Sequence, residues 1–211
     1  AVKAGQQAIE RGRSLDAPQG MARALALLGT FADEAEERRR AVDELQALAE
    51  DLKRGGLDDE AAYALGKLGA LWLALDQPQQ AREALERALT WQRAAKSPRV
   101  TAEILRLTGI AACRTNDTGS AIGLLEEAEA LADAAGDRYQ RLACRLAVGE
   151  SLLARGQHLA AEATLRQVIA AAEDRQRLGS WVHLGQAYAL LIEVLTRQGR
   201  LDEARLVSAE K

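Results

Sequence analysis

The sequence predicts an all-α protein, a solenoid of antiparallel helix pairs stacked side by side. Three observations predict this class. The composition is dominated by helix formers, a pattern of small and apolar residues repeats with a period of about 40 residues, and apolar residues within each repeat are spaced three and four apart. One helix pair cannot bury its apolar face alone, whereas stacked pairs share a continuous core.

The composition favours helices and leaves little room for strands. Of the 211 residues, 48% are hydrophobic and 3% aromatic, and only three are proline. Most apolar residues are alanine and leucine, the strongest helix formers. The net charge of −3 argues against a general nucleic-acid binder, because such a protein would carry a basic excess.

Two further features bear on localisation. The two cysteines are too few for a disulfide framework, so a reducing compartment is expected. No apolar run approaches the roughly 18–20 residues of a membrane span, and no signal peptide is visible. We therefore expect a cytoplasmic protein that binds neither membrane nor nucleic acid.

The repeat is visible as series of residues that keep the same spacing. A glycine, an alanine and a leucine recur in this order, and the distances between them are the same in each of four copies. The three series are Gly29, Gly69, Gly109 and Gly149; Ala41, Ala81, Ala121 and Ala161; and Leu45, Leu85, Leu125 and Leu165. Series that coincide at one period indicate tandem copies of one structural unit.

Each repeat is predicted to hold two helices of about 15–18 residues, because the apolar spacing has the helical period. The predicted repeats are 18–57, 58–97, 98–137 and 138–177, within a single array over 1–211. Residues 1–15 are interpreted as the second helix of a truncated repeat, and residues 178–211 as a final, incomplete repeat. These ragged ends favour a fragment of a longer protein.

Helix-breaking residues mark the predicted boundaries. Ser97-Pro98 is typical of an N-cap followed by proline at the first helical position. Gly136 is typical of a helix C-terminus. Turns between the two helices of a repeat are expected at Asp76-Gln77-Pro78, Asn116-Asp117-Thr118-Gly119, Gly156-Gln157 and Gly199-Arg200.

The first repeat lacks such a breaker. Its corresponding turn position, residues 36–40, has the sequence Glu-Glu-Arg-Arg-Arg, which has high helix propensity. Two interpretations stay open: a polar turn at 36–40, which we favour because the later alanine and leucines keep their register, or one fused helix over about residues 19–54. Glu34 can pair with Arg38 and Glu36 with Arg40, so the arginines are neutralised locally and do not predict a nucleic-acid patch.

The residues that repeat are assigned to packing. Small residues let paired helices approach closely, and the large apolar ones are expected in the core: Leu28, Leu45, Leu68, Trp72, Leu85, Leu125 and Leu165. Trp91 lies outside these positions, and we interpret it as helix packing in preference to an aromatic cage.

No catalytic constellation is recognisable, so we expect no enzyme activity and no cofactor. The chain has neither a nucleophile elbow nor a zinc-protease motif. His158 and His183 lie in different repeats without a cysteine or carboxylate at ligand spacing, so no metal site is predicted.

The repeat resembles the tetratricopeptide repeat. The best copy is Leu65, Leu68-Gly69, Trp72, Ala81, Leu85 and Ala88, and other copies follow Gly29, Gly109 and Gly149. The common repeat is shorter, at about 34 residues against about 40 here. The longer form is similar to repeats of LGN/Pins and kinesin light-chain scaffolds and to sensor regions of LuxR-type and SARP-type bacterial transcription activators. The resemblance implies a right-handed superhelix.

The resemblance also implies a binding groove lined by the first helix of each repeat. Carried onto this sequence, the polar groove positions are Arg23, Tyr63, Lys67, Glu103, Arg106, Glu150, Gln186 and Glu193. Between them lie the smaller or apolar positions Ala26, Leu27, Thr30, Gly66, Ala70, Leu107, Ile110, Ala143, Leu146, Ala147, Ala189 and Leu190. The lysine–asparagine clamp of chaperone-binding members is missing, because the only asparagine, Asn116, falls in a predicted turn.

These features favour a protein-interaction or scaffold module, a regulatory fragment of a larger bacterial protein that binds a peptide or helix in its groove. Two alternatives stay open. One is an effector-sensing domain of a transcription activator, which would need a closed apolar pocket. The other is a self-assembly module whose array ends stack on one another, since terminal repeats need a polar cap.

Overall fold

The computed structural model describes residues 17–92, 97–173 and 180–210, and every regular element in these ranges is an α-helix. The helix predicted for residues 1–15 lies outside the described residues. The chain divides into two compact units between Ala111 and Ala112. None of the described helices is both long and apolar enough to cross a membrane.

The first unit contains five helices among the described residues. They are α1 (Pro18–Phe31), α2 (Ala35–Arg54), α3 (Asp58–Ala74), α4 (Pro78–Gln92) and α5 (Pro98–Arg114), the last of which continues three residues past the division. Helix α1 packs against both α2 and α3, and α3 packs against α2 and α4. Consecutive helices therefore form pairs, and the first helices of neighbouring pairs also touch.

The second unit repeats this arrangement. Its helices are α6 (Thr118–Ala134), α7 (Arg138–Ala154), α8 (His158–Glu173), α9 (Ser180–Arg197) and α10 (Leu201–Glu210). Helix α7 packs against α6, α8 and α9, and α9 packs against α8 and α10. The contact between α7 and α9 matches that between α1 and α3 in the first unit.

Most turns share one backbone conformation. In the described residues, six turns place a residue with left-handed φ just after a helix: Gly56, Asp76, Asn116, Gly136, Gly156 and Gly199. The N–H of the next residue then donates to the carbonyl five positions earlier, as from Gln77 to Trp72 at 2.8 Å. This bond satisfies a carbonyl that the helix end would leave unpaired. The turns predicted at Asp76, Asn116, Gly156 and Gly199 are therefore confirmed.

The turn between α1 and α2 is different, and its predicted position is wrong. The left-handed position of the other turns corresponds to Glu36 here, and that conformation costs a non-glycine residue roughly 1–2 kcal/mol. The chain instead breaks at Ala32–Glu34, and residues 36–40 are helical within α2. The alternative of one fused helix over residues 19–54 is wrong as well.

Arg38 holds this unusual turn together. Its Nε donates to the Ala32 carbonyl at 2.9 Å, and its Nη2 donates to the Asp33 carbonyl at 3.2 Å. Arg38 therefore bonds to the backbone and does not form the pair expected with Glu34. The second expected pair, between Glu36 and Arg40, is confirmed with 2.5 Å between the charged atoms. Local structure thus accounts for two of the three consecutive arginines.

Each unit has its own apolar core. Fully buried side chains of the first unit come from all five of its helices: Leu25, Leu45, Leu65, Leu71, Leu85 and Ile104. In the second unit the core includes Leu165, Val168, Leu191, Val194 and Leu195. The predicted core residues Leu68 and Leu125 are also buried, whereas Leu28 and Trp72 are half-buried and pack at the edge of the first core.

Candidate functional site

Within each unit, the side of the first helices that carries the predicted groove positions is called here the first-helix face of that unit. In the first unit this face comprises α1, α3 and α5, and in the second unit α7 and α9. Each unit brings such helices into contact, since α1 packs on α3 and α7 packs on α9. The predicted groove residues all lie on these helices.

Three of the predicted residues form one cluster in the first unit. The Lys67 ammonium on α3 donates to the Glu103 carboxylate on α5 at 2.5 Å. The same ammonium lies 4.8 Å from the centre of the Tyr63 ring, one helical turn earlier on α3. A cation at this distance from an aromatic face is attracted by the ring quadrupole. The cluster therefore combines an ion pair and a cation–π contact across two repeats.

The ion pair between Lys67 and Glu103 is partly buried, which strengthens the attraction between its charges. The side chains of Lys67 and Glu103 are only 16% and 23% exposed. Screening by water is weaker at such positions than for fully exposed pairs, whose median contribution is about 0–1 kcal/mol. Because Lys67 is already neutralised, an incoming carboxylate would have to compete with Glu103. The cluster is therefore a poor site for a lone anion.

The neighbouring predicted residues on this face differ in exposure. Arg23 is exposed on α1, and the exposed Leu27 follows it one turn later. Arg106 is half-buried on α5, one turn after Glu103. Apolar contact area on this face comes from Leu27 together with the half-buried Ala70 and Ile110. The arrangement can hold an extended or helical segment by apolar contacts beside charged groups.

In the second unit the predicted residues are more dispersed. Glu150 on α7 and Gln186 and Glu193 on α9 are all exposed. Glu193 accepts from Arg197 at 2.6 Å on the same helix, which is an exposed pair of small energetic weight. The structure therefore does not bring these three into one bonded cluster.

The same face holds two exposed apolar residues that sequence reasoning missed. Tyr139 lies near the start of α7, and Val182 lies near the start of α9. The Tyr139 ring contacts the His183 ring, with 4.5 Å between their centres. Each missed residue stands four positions before a groove position, Ala143 or Gln186, so the helical period places it on the same side. These residues could have been found by extending the groove pattern one helical turn towards the start of each helix.

Trp91 packs against the first core, as predicted, and lies outside the first-helix face. Two cations lie near its ring, Lys53 at 5.3 Å and Arg87 at 5.2 Å from the ring centre. Lys53 also donates to Asp58 at 2.9 Å, and Arg87 pairs with Glu50. Both cations belong to the protein itself, so the ring acts in packing between α2 and α4.

Residues 60–134 match the family model described as "Tetratricopeptide repeat". This segment begins in α3 and ends with α6, so it includes the Lys67–Glu103 cluster. No curated protein matches the chain significantly.

Solved structures share the fold along nearly the whole chain. Two crystal structures of a Podosopora anserina protein, a putative kinesin light chain with nearly identical TPR-like repeats, are each 20% identical. Their TM-scores are 0.70 and 0.68. The matches cover 96% and 95% of this chain, and in both cases 93% of the solved chain. BtubC (BKLC) from P. vanneervenii is 14% identical with a TM-score of 0.75, over 99% of this chain and 90% of its own. The predicted fold class, an all-α solenoid of TPR-like helix pairs, is thereby confirmed.

Proposed function

We propose that this chain is a protein-interaction scaffold that holds a peptide or helix of a partner on its first-helix face. The tetratricopeptide repeat sequence supports a scaffold role. The observation that carries the proposal is the cluster of Tyr63, Lys67 and Glu103 on successive first helices. It supplies an aromatic ring and a neutralised charge pair beside partly exposed apolar residues. Helices laid into such surfaces use apolar anchors with a polar rim.

The wider setting of this scaffold is part of the proposal. We place it in the cytoplasm, as a non-catalytic regulatory part of a larger bacterial protein such as a LuxR-type or SARP-type transcription activator. Its low cysteine content and alanine-, leucine- and arginine-rich composition support this setting.

Site-specific photo-crosslinking tests the interaction. A photo-reactive amino acid is placed at Leu27 or at Tyr63, both on the first-helix face, and in a control at Gln46, which is exposed on α2. Irradiation in the lysate of the source cells is followed by identification of the attached proteins. We expect both face positions to attach the same partner segment and the Gln46 control to attach none of it.

The result that would contradict the proposal is equally specific. Equal labelling at all three positions would indicate non-specific contact, and no labelling at either face position would remove the interaction role for the first-helix face of the first unit. Circular dichroism of each variant confirms that the helices are retained, so a negative result cannot come from misfolding.

A second candidate, self-assembly, is favoured by one separate observation. Leu201 and Leu206 of α10 are both large, apolar and exposed. The two leucines are five positions apart and so lie on different sides of α10. Leu206, the more exposed of the two, offers an apolar contact for a second copy of the chain.

A further inference from the structure

The first-helix face of the second unit carries an apolar end. Tyr139 is 54% exposed and Val182 is 60% exposed, and both lie within the first turn of their helices. The ring contact between Tyr139 and His183 shows that the starts of α7 and α9 lie next to each other. The two exposed side chains therefore belong to one patch and are not scattered singly over the surface.

The opposite end of the same face is acidic. On α7 Glu150 follows Tyr139, and on α9 Glu193 follows Val182, each after about three helical turns. At a rise of 1.5 Å per residue, each carboxylate stands about 16 Å along the helix from its apolar counterpart. Since the two helices start side by side, both carboxylates lie at the same end. Among the described residues Glu150 makes no ion pair, and Glu193 is held only by the exposed Arg197.

Between the two ends, the accessible surface is formed mainly by α9, through the exposed Gln186 and Ala189 and the half-buried Leu190. The corresponding α7 positions are buried: Ala143, Leu146 and Ala147. Small residues along a helix let another helix approach closely. Together with Tyr139 and Val182 at the apolar end and Glu150 and Glu193 at the acidic end, the positions named here include two carboxylates and no lysine or arginine.

Two arginines of α7 are paired with carboxylates of α6. Arg141 of α7 bonds to Asp133 at 2.7 Å, and Arg145 pairs with Glu129, so both are engaged with α6. The first unit differs in charge at its equivalent positions, where Arg23, Lys67 and Arg106 outnumber Glu103. A partner can therefore distinguish the two faces by charge.

We propose that the first-helix face of the second unit binds a basic amphipathic helix. Its apolar side chains would pack on Tyr139 and Val182. Its lysine or arginine side chains, about three turns further along, would meet Glu150 and Glu193. Charge complementarity is the argument for this occupant, because it sets both the choice of partner and the rate of encounter. The inference rests on the proposed interaction function and specifies the chemistry of the partner for one unit.

Two synthetic peptides test this inference on the full 211-residue chain. Each is an alanine-based helix of about 15 residues, a length at which such sequences begin to be helical in water. Both carry the same leucine stripe, and one has lysines where the other has glutamates. Fluorescence anisotropy at low salt measures binding of each labelled peptide. We expect the lysine peptide to bind about tenfold more tightly, with a preference that weakens as salt is added.

Matched variants show where the preference arises. The double substitution Glu150→Lys/Glu193→Lys should reverse it, whereas Glu126→Lys/Glu127→Lys should leave it unchanged. The control alters the net charge by the same amount at exposed positions of α6. Replacing Tyr139 and Val182 by serine should weaken both peptides about tenfold, which converts to about 1.4 kcal/mol of binding free energy.

The peptide-binding results and the crosslinking results can be told apart, because they test different statements. If Glu150→Lys/Glu193→Lys and Glu126→Lys/Glu127→Lys reduce the preference for the lysine peptide equally, the cause is the net charge of the protein and the inference is wrong. Failure of the lysine peptide to bind the wild-type chain would also overturn it. If crosslinking at Leu27 and Tyr63 succeeds while the peptide preference fails, the interaction function stands and only this partner chemistry is wrong. If the lysine peptide binds as expected while both crosslinks fail, the second unit alone carries the interaction.

Discussion

Gly69 illustrates how a single residue sets the spacing of a helix pair. A methyl group added at this position would lie 2.7 Å from Leu85 Cδ2, closer than van der Waals contact allows. Leu85 is fully buried, so it has no open space into which to move. Gly149 stands in the same relation to Leu165, at 2.9 Å. In these two repeats the periodic glycine and leucine are therefore the two sides of one close contact, whereas an added group at Gly29 would meet Leu71 and Ala41.

We predict that Gly69→Ala lowers the free energy of unfolding by about 1–3 kcal/mol, because overpacking forces buried side chains off their rotamers. Urea denaturation followed by circular dichroism measures the change. Gly123→Ala is the matched control: Gly123 is exposed within α6, and an added methyl group meets nothing within 4 Å. The control should gain about 0.5–1 kcal/mol, since alanine is the better helix former. A loss of similar size in both variants would contradict the packing explanation.

Residue identity also explains which turns were predictable. Gly156 and Gly199 indicate a left-handed turn already in the sequence, and Asp76 and Asn116 are of the non-glycine types that tolerate it best. Glu36 gives no such signal, and the sequence does not show that Arg38 can close a turn by donating to carbonyls earlier in the chain. Periodicity could predict that two helices exist here, but the break depends on one side-chain conformation.

At the scale of elements, helices α8 and α10 are joined by a charged network. Arg200, directly before α10, donates to Glu162 of α8 at 2.5 Å and also to Glu203. Arg166 donates to the same Glu162 carboxylate at 3.0 Å. Burial raises the pKa of Glu162, but hydrogen bonds from Arg200 and Arg166 outweigh that effect, so the pKa of this carboxyl lies below its ordinary value. The network favours the charged form of Glu162.

This pKa shift predicts a contribution to stability that depends on pH. A carboxyl with a lowered pKa in the folded state stabilises fully above its unfolded pKa of about 4.5, and the contribution is lost as the pH falls through the folded value. We expect Glu162→Gln to lower the free energy of unfolding by roughly 1 kcal/mol at pH 7. The difference from wild type should shrink steadily below pH 4.5.

Thermal melts between pH 7 and pH 3 measure this difference. Glu203→Gln serves as the comparison, since Glu203 accepts from the same Arg200 on a more exposed side chain. Its effect should be smaller at every pH. A Glu162→Gln deficit that stayed constant across the range would show that charge is not the cause.

The candidate site was predictable in part at this scale. Helical register and the family resemblance placed Tyr63, Lys67 and Glu103 on first helices, but the mutual pairing of Lys67 and Glu103 depends on how closely α3 and α5 approach. Tyr139 and Val182 were missed because the family motif begins one turn later than the helices do. Spacing gives the side of a helix on which a residue lies, whereas exposure depends on what packs against it.

At the scale of the whole molecule, exposed leucines on α10 predict self-association. Leu206 is 67% exposed, and we propose that it contributes to a weak contact between two copies of the chain. Multi-angle light scattering should show a mass that rises with concentration and returns to the monomer value in Leu206→Lys. Leu159→Lys is the control, because Leu159 is 79% exposed on α8. A strict monomer at high concentration, or equal effects of both substitutions, would contradict the proposal.

The shared turn has a consequence for how such a chain can grow. At each of the six left-handed turns, the hydrogen bonds that close the helix end come from residues of that same helix and its next neighbours in sequence. A tandem duplication of one repeat therefore carries the residues that close its own turns, and these turns require no compensating change elsewhere in the chain. The first helix pair closes its turn within the repeat as well, because Arg38 donates to the carbonyls of Ala32 and Asp33 in the same repeat. By this measure a duplicate of any of these repeats can serve as starting material for lengthening the protein.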